Sequence, residues 1–257
     1  MQIRMLTDLT GAQALSDVIR ATWGDWSVPP PEFIRAIQAS GNVPVGAASA
    51  EGGSVVGFAL GFLGPDPEGI HLHSHMLAVL PGRRSAGIGY ALKLAQRAAA
   101  LDAGVHVARW TFDPLQARNA YFNITKLGTA ADRFHRHFYG DMGDALNAGD
   151  RSDRLEARWD LDREPGRTRA EPKDPFEVLG VRGDGAPGPV RAPQGEPALV
   201  RVPEDYGALR SSDPEAARAW RDAMAHALEA CFSAGLEATG FLREGTYVFS
   251  PPEERRT

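Results

Sequence analysis

Apolar positions along the chain recur in two rhythms, one helical and one alternating. Thr10–Ala21 carries Ala14, Leu15, Val18 and Ile19 at helical spacing, with Thr10 placed to cap it. A second helix is predicted from Pro29 to Gln38, with prolines at its start and Gly41 at its end. Residues 2–6, Val43–Ala50, Ser54–Leu63, Ile70–Leu80 and Val105–Phe112 read as strands, and Glu51-Gly52-Gly53 is a hairpin signal between the second and third. Gly89–Ala103 reads as a helix ended by Gly104, and Ala117–Leu127 as another ended by Gly128. Ala130–Tyr139 and Arg154–Leu161 follow as strands. The pattern is α/β, a mixed sheet flanked by helices rather than a strict βαβ alternation.

The rhythm breaks over residues 162–197, rich in proline, glycine and charge around one apolar patch, Phe176–Leu179. We read a long connection, partly mobile, with that patch docked. A strand–helix–strand unit follows: Leu199–Val202, a long helix capped by Ser212 with the stripe Ala219, Trp220, Ala223, Ala227 and Cys231, then Phe241–Phe249 around Gly245. So short a unit cannot bury much of its own. The expected division is a domain over 1–161, a connection over 162–197 and an extension over 198–257 that packs on the first domain.

A net charge of −5 argues against nucleic acid or an anionic membrane as partner. A single cysteine, Cys231, excludes an intrachain disulfide and suits a reducing compartment. With no signal-like N-terminus and no long apolar run, the expectation is a cytoplasmic protein. The oligomeric state is open, a homodimer included.

Chemistry concentrates in His71–Tyr90: an alternating strand, then Arg84-Ser85-Ala86-Gly87-Ile88-Gly89, then a helix. A glycine loop at a helix N-terminus turns backbone N–H groups toward one point, a site for phosphate or pyrophosphate. It is neither a P-loop nor the dinucleotide fingerprint, because the lysine and the third glycine are missing. A plain turn is the alternative.

Val79-Leu-Pro-Gly-Arg-Arg84-Ser-Ala-Gly87-Ile-Gly89-Tyr-Ala-Leu resembles the acyl-CoA motif of the GNAT superfamily of N-acyltransferases. Lys126-Leu127-Gly128 resembles the end of that family's second motif, and the element order over residues 2–161 is similar. The resemblance implies a GNAT-like central sheet with acetyl-CoA or another acyl-CoA as co-substrate. Backbone groups of Leu77, Ala78 and Val79 would pair with the pantetheine arm. N–H groups of Arg84, Ser85, Ala86, Gly87, Ile88, Gly89 and Tyr90 would hold the pyrophosphate. The thioester would lie where Ile70–Leu80 and Val105–Phe112 splay apart. The run Trp110–Asn123 resembles a GNAT-like subfamily that has the same C-terminal strand–helix–strand segment and some of whose relatives are associated with N-acylamino acid metabolism.

His71, His73 and His75 alternate and so share a strand face, yet Leu77 and Val79 share their parity and are apolar. A β-bulge between His75 and Leu77 would resolve the conflict. Imidazole titrates near neutrality and can take a proton from an ammonium. His73 and His75 match the two histidines of the serotonin N-acetyltransferase branch of the family, which favours them over His71. An exposed strand face is the bland alternative. A metal site lacks a carboxylate or cysteine cluster, so none is expected.

The family's usual acid, a tyrosine, is replaced by Ile124, and Tyr121 one turn earlier is the substitute candidate, with a core aromatic as its alternative. Ala117 stands where the family's asparagine would be, with Asn119 nearby as a cofactor contact. Arg118 could pair with a substrate carboxylate. The strip Arg133–Tyr139 alternates basic and aromatic residues, as a half-buried strand or a basic wall. Cys231 reads as core. The expected reaction is acyl transfer to a primary amine of a small metabolite, an amino acid among the candidates. A non-catalytic acyl-CoA-binding regulatory module is the alternative.

Overall fold

The computed structural model describes residues 1–253 apart from 43–44, 49–52, 67–68, 85–86, 145–146 and 167–171. The chain divides into two compact units. The first comprises Met1–Trp110, Gly143–Ala148 and Asp160–Asp162; the second comprises Thr111–Met142, Gly149–Trp159 and Arg163–Thr257. The division falls inside the expected 1–161 segment, because residues 111–142 and 149–159 cluster with the C-terminal part of the chain.

In the first unit, β1 (Gln2–Met5), β2 (Val45–Ala48), β3 (Val55–Asp66) and β4 (Gly69–Val79) pair antiparallel in that order. β4 then pairs in parallel with β5 (Val107–Phe112). Helices α1 (Leu9–Trp23) and α2 (Pro31–Ala39) cover one face, burying Leu15, Val18, Ile19 and Ile34 against Phe58, Leu60 and Ala78. Helix α3 (Ile88–Asp102) covers the other, with Ile88 and Leu92 against Val56 and Ala59. Phe58 and Leu60 go to one cluster and Ala59 to the other, as strand alternation requires. α1 is capped by Asp8, whose carboxylate accepts from the Gly11 N–H at 2.7 Å, rather than by Thr10. Asp8 holds the extended backbone an N-cap needs, while Thr10 is already helical. The expected hairpin residues 51–52 lie outside the described residues.

The second unit pairs its strands in the order β7 (Arg154–Asp160), β6 (Ala130–His135), β10 (Glu237–Leu242), β11 (Thr246–Ser250), β9 (Ala198–Arg201) and β8 (Phe176–Leu179). The patch in the proline-rich connection is thus a true strand, parallel to β9. The C-terminal segment continues the sheet through Ala238 opposite Ala131. Gly245, at φ 81°, turns β10 into β11.

The predicted helix over Ala117–Leu127 is α4 (Ala117–Ala120) followed by a π-helical turn over Tyr121–Lys126, where the Leu127 N–H reaches back to Phe122 O. A short helix, α5 (Tyr206–Ser212), precedes α6 (Pro214–Ser233). Ser212 ends α5, so the cap of α6 is Asp213, accepting from the Ala216 N–H. α6 buries Ala217, Trp220, Arg221, Met224, Leu228 and Cys231, while Ala219, expected inside, is exposed. Arg221 is salt-bridged by both carboxylate oxygens of Asp113 and by Asp150, and the Tyr206 hydroxyl donates to Asp150.

Candidate functional site

β4 carries the bulge that its sequence demanded, one step earlier than expected. Leu60 opposes Met76 and Phe62 opposes His73, so Gly61 faces both Ser74 and His75. The extra residue lies before Met76 rather than between His75 and Leu77. His75 and Met76 therefore share a face, and every later residue changes sides. Ser74 turns toward α3, Met76 and Ala78 pack on the α1–α2 cluster, and Leu77 and Val79 pack on the α3 cluster. Gly61 is needed here: a Cβ would stand 2.8 Å from the His73 carbonyl.

The histidine face holds a row of rings. Phe62 stacks on His73 with centroids 5.1 Å apart and lies 5.8 Å from His75. His73 lies 6.2 Å from His71 and 5.9 Å from His75. His75 keeps an exposed edge, but desolvation by its neighbours lowers its pKa from the usual 6.5. The neutral ring, which can accept a proton, therefore dominates at neutral pH.

The other edge of β4 opens. Its ladder with β5 holds Leu72 opposite Ala108 and His73 opposite Arg109, and among the described residues it goes no further. The Leu80 N–H donates to Val56 O on the β3 side. Strand alternation then turns the N–H groups of Leu77 and Val79 to the side of β5.

Beyond β4, Arg84 Nε donates to Val79 O at 3.3 Å. Ser85 and Ala86 lie outside the described residues. Gly87, at φ 75°, turns the chain left-handed into α3, whose N-terminus has no side-chain cap and no acidic residue in its first turn. The backbone N–H groups at Ile88, Gly89 and Tyr90 open this helix, where no intrahelical acceptor exists. Positive dipole end, left-handed glycine and open strand edge fit a pyrophosphate followed by an amide-bearing arm.

The remaining candidates belong to the second unit. Arg118 and Asn119 are exposed on α4, and the Asn119 N–H donates to Gln116 O. Tyr121 is half-buried at the start of the π turn, with the Arg243 guanidinium 5.6 Å from its ring centroid. Ile124, at the family's acid position, is fully buried. His135 and Arg133 of the basic strip share the carboxylate of Glu156. Burial pushes the Cys231 thiol up to about 12, which makes it inert. No group of three His, Cys, Asp or Glu among the described residues could hold a metal ion, and no helix is long and apolar enough to cross a membrane.

Sequence reading missed three features. The π turn left no trace in an ordinary helical pattern. Nothing in the local pattern marks Lys93, which is buried against Ser74 of β4. Arg221 meets Asp113 across 108 positions, and no local pattern marks such a pair.

The Acetyltransferase (GNAT) family model matches residues 12–128, which spans the bulged strand, the glycine loop and the π turn. Among solved structures, Naa20 of Chaetomium thermophilum in complex with a bisubstrate analogue is similar at 20% identity and TM-score 0.52, over 65% of this chain and 92% of that one. The ribosomal-protein-S18-alanine N-acetyltransferase of Escherichia coli is similar at 15% identity and TM-score 0.50, over 66% and 96%. These likenesses show a shared fold. No curated protein matches the sequence. Residues 12–128 thus carry a match to the GNAT acetyltransferase family, the resemblance that the glycine loop led us to expect.

Proposed function

We propose that the protein moves an acetyl or other short acyl group from acyl-CoA to a primary amine of a small metabolite, an amino acid among the candidates. The observation that carries this reading is the bulged β4. It sets a neutral imidazole on one face of the strand and, among the described residues, leaves the strand's far edge unpaired just beyond.

His75, with His73 between it and His71, takes the proton from the acceptor ammonium, directly or through water. The freed amine attacks the acyl carbonyl. Acyl-CoA supplies the acyl group as a thioester. The Leu77 N–H stabilises the developing oxyanion, and the N–H groups over residues 84–90 hold the pyrophosphate. Tyr121 returns a proton to the departing thiolate, Asn119 contacts the cofactor, and Arg118 binds a substrate carboxylate. The Escherichia coli relative is named for an alanine of a ribosomal protein, so a protein acceptor belongs in the screen. A second reading, an acyl-CoA sensor without turnover, is favoured by the buried Ile124.

Titration with CoA, acetyl-CoA and succinyl-CoA, followed by an amine screen, tests both readings. Saturable binding with turnover is expected. His75→Ala should lower kcat by about 10²–10⁴-fold while sparing CoA affinity. Binding without turnover on any amine supports the sensor, and an unchanged rate in His75→Ala removes the relay.

A further inference from the structure

Lys93 lies on α3, 2% exposed, directly beneath the point where β4 and β5 part. The last paired residues are Leu72 with Ala108 and His73 with Arg109. Were the parallel ladder to continue, Ser74 would meet Trp110 next. The Lys93 amine instead reaches the side chains of both residues. Its Nζ donates to Ser74 Oγ at 2.7 Å and stands 3.4 Å from the centre of the Trp110 ring. Ser74 Oγ in turn donates to Gln96 Oε1 at 2.6 Å, one helical turn along α3.

We propose that Lys93 is a wedge: its amine holds Ser74 and Trp110 apart and so sets the opening of the β4–β5 fork in which the acyl-CoA arm is to lie.

Three observations converge on this assignment. The amine touches the first residue past the fork on each strand. Ser74 is one of the two residues opposite Gly61, so the same hydrogen bond that engages Lys93 anchors the bulge. The partners of Nζ are a hydroxyl and an indole face, with no carboxylate among the described residues to explain a buried amine as an ion pair. Such a group is costly to bury, and burial holds its pKa well below the usual lysine value. A leucine there would fill the space more cheaply but would leave the Ser74 hydroxyl without its second partner. Lys93 is a positioning residue: it reaches the strands, and the strands reach the substrate.

The functional arm of this inference rests on the acyl-CoA reading; the structural arm does not. Lys93→Met keeps the stem and removes the amine. Three quantities are read: amide hydrogen exchange along β4 and β5, the dissociation constant for CoA, and the split of KM for acyl-CoA against kcat. The wedge predicts slowed exchange past His73, where the ladder closes by one pair. It also predicts CoA binding weakened about tenfold, a loss of the size of one hydrogen bond to a charged group. KM for acyl-CoA should rise with it, while the His75 inflection in the pH profile stays in place. Unchanged exchange together with unchanged CoA affinity overturns the wedge. A wild type that binds no CoA removes the acyl-CoA reading, and the exchange data still decide the wedge. Should Lys93→Met fail to fold, Ser74→Ala, which removes one hydroxyl, must shift exchange and affinity in the same direction by less. No shift in that variant overturns the proposal.

Discussion

Lys93 and Arg221, both buried and one in each compact unit, are stabilised in opposite ways. Arg221, 3% exposed, meets two carboxylates and has its guanidinium occupied on every side. Burial alone would lower its pKa, but the hydrogen bonds and charges of Asp113 and Asp150 outweigh burial and raise it. Burial likewise pushes Asp150 up, and Arg221 more than reverses the effect. Lys93, 2% exposed, has a hydroxyl and an aromatic face as its partners among the described residues, and its pKa falls. The difference teaches where each unit tolerates cost. A compensated charge ties distant segments into a scaffold, whereas an uncompensated amine is kept where it holds something open.

The sharpest break of this comparison is Arg221→Met. It strands two carboxylates in a poorly hydrated place and should cost about 3–5 kcal/mol, measured by urea unfolding. A cost under about 1 kcal/mol would mean water reaches the cluster and compensation is not what holds it. The helix that carries Arg221 offers a smaller test. Asp213→Ala removes its cap and should cost about 1 kcal/mol. α3, bare at its N-terminus, has no such cap to lose.

Lys93→Met is expected to melt no lower than the wild type, because the substitution also removes a buried, uncompensated amine. A large drop in melting temperature would make Lys93 a structural tie and erase the contrast with Arg221.

The smallest effect concerns pH. His75 titrates below 6.5 in the folded chain and at the ordinary value when unfolded. Below 6.5 the unfolded state binds more protons, so stability falls as pH falls. His75→Gln should flatten that acid-side slope. In the wild type, kcat/KM should rise with pH through an inflection below 6.5, and an inflection above 6.5 would argue against a desolvated base.

Local signals made much of the first unit legible. Alternation marked β3 and β4, Gly104 and Gly128 marked helix ends, and the Arg84–Gly89 loop marked the start of α3 to within a residue. The parity conflict between His75 and Leu77 even called for a bulge, though its position waited on the register with Gly61. What stayed hidden was decided by geometry that neighbouring residues do not encode. Asp8 and Asp213 outcompete Thr10 and Ser212 as caps because they occupy the last non-helical position before each helix. Ala219 lies outside and Arg221 inside because Asp113 and Asp150 give the arginine partners that alanine cannot use. Composition in 162–197 read as a partly mobile connection with Phe176–Leu179 docked, and those four residues form β8, though nothing local showed that they pair in parallel with β9.

That strand has one more consequence, for the company the protein keeps. β8 ends its sheet, and an unpaired sheet end invites a strand from another molecule. Here the chain folds back on itself first. The N–H groups of Gly188 and Arg191 already take the carbonyls of Gly180 and Val178. Pro175, Pro187, Pro189 and Pro193 have no N–H to offer an incoming neighbour. The stretch that looks most like slack therefore acts as a hem along this end of the sheet.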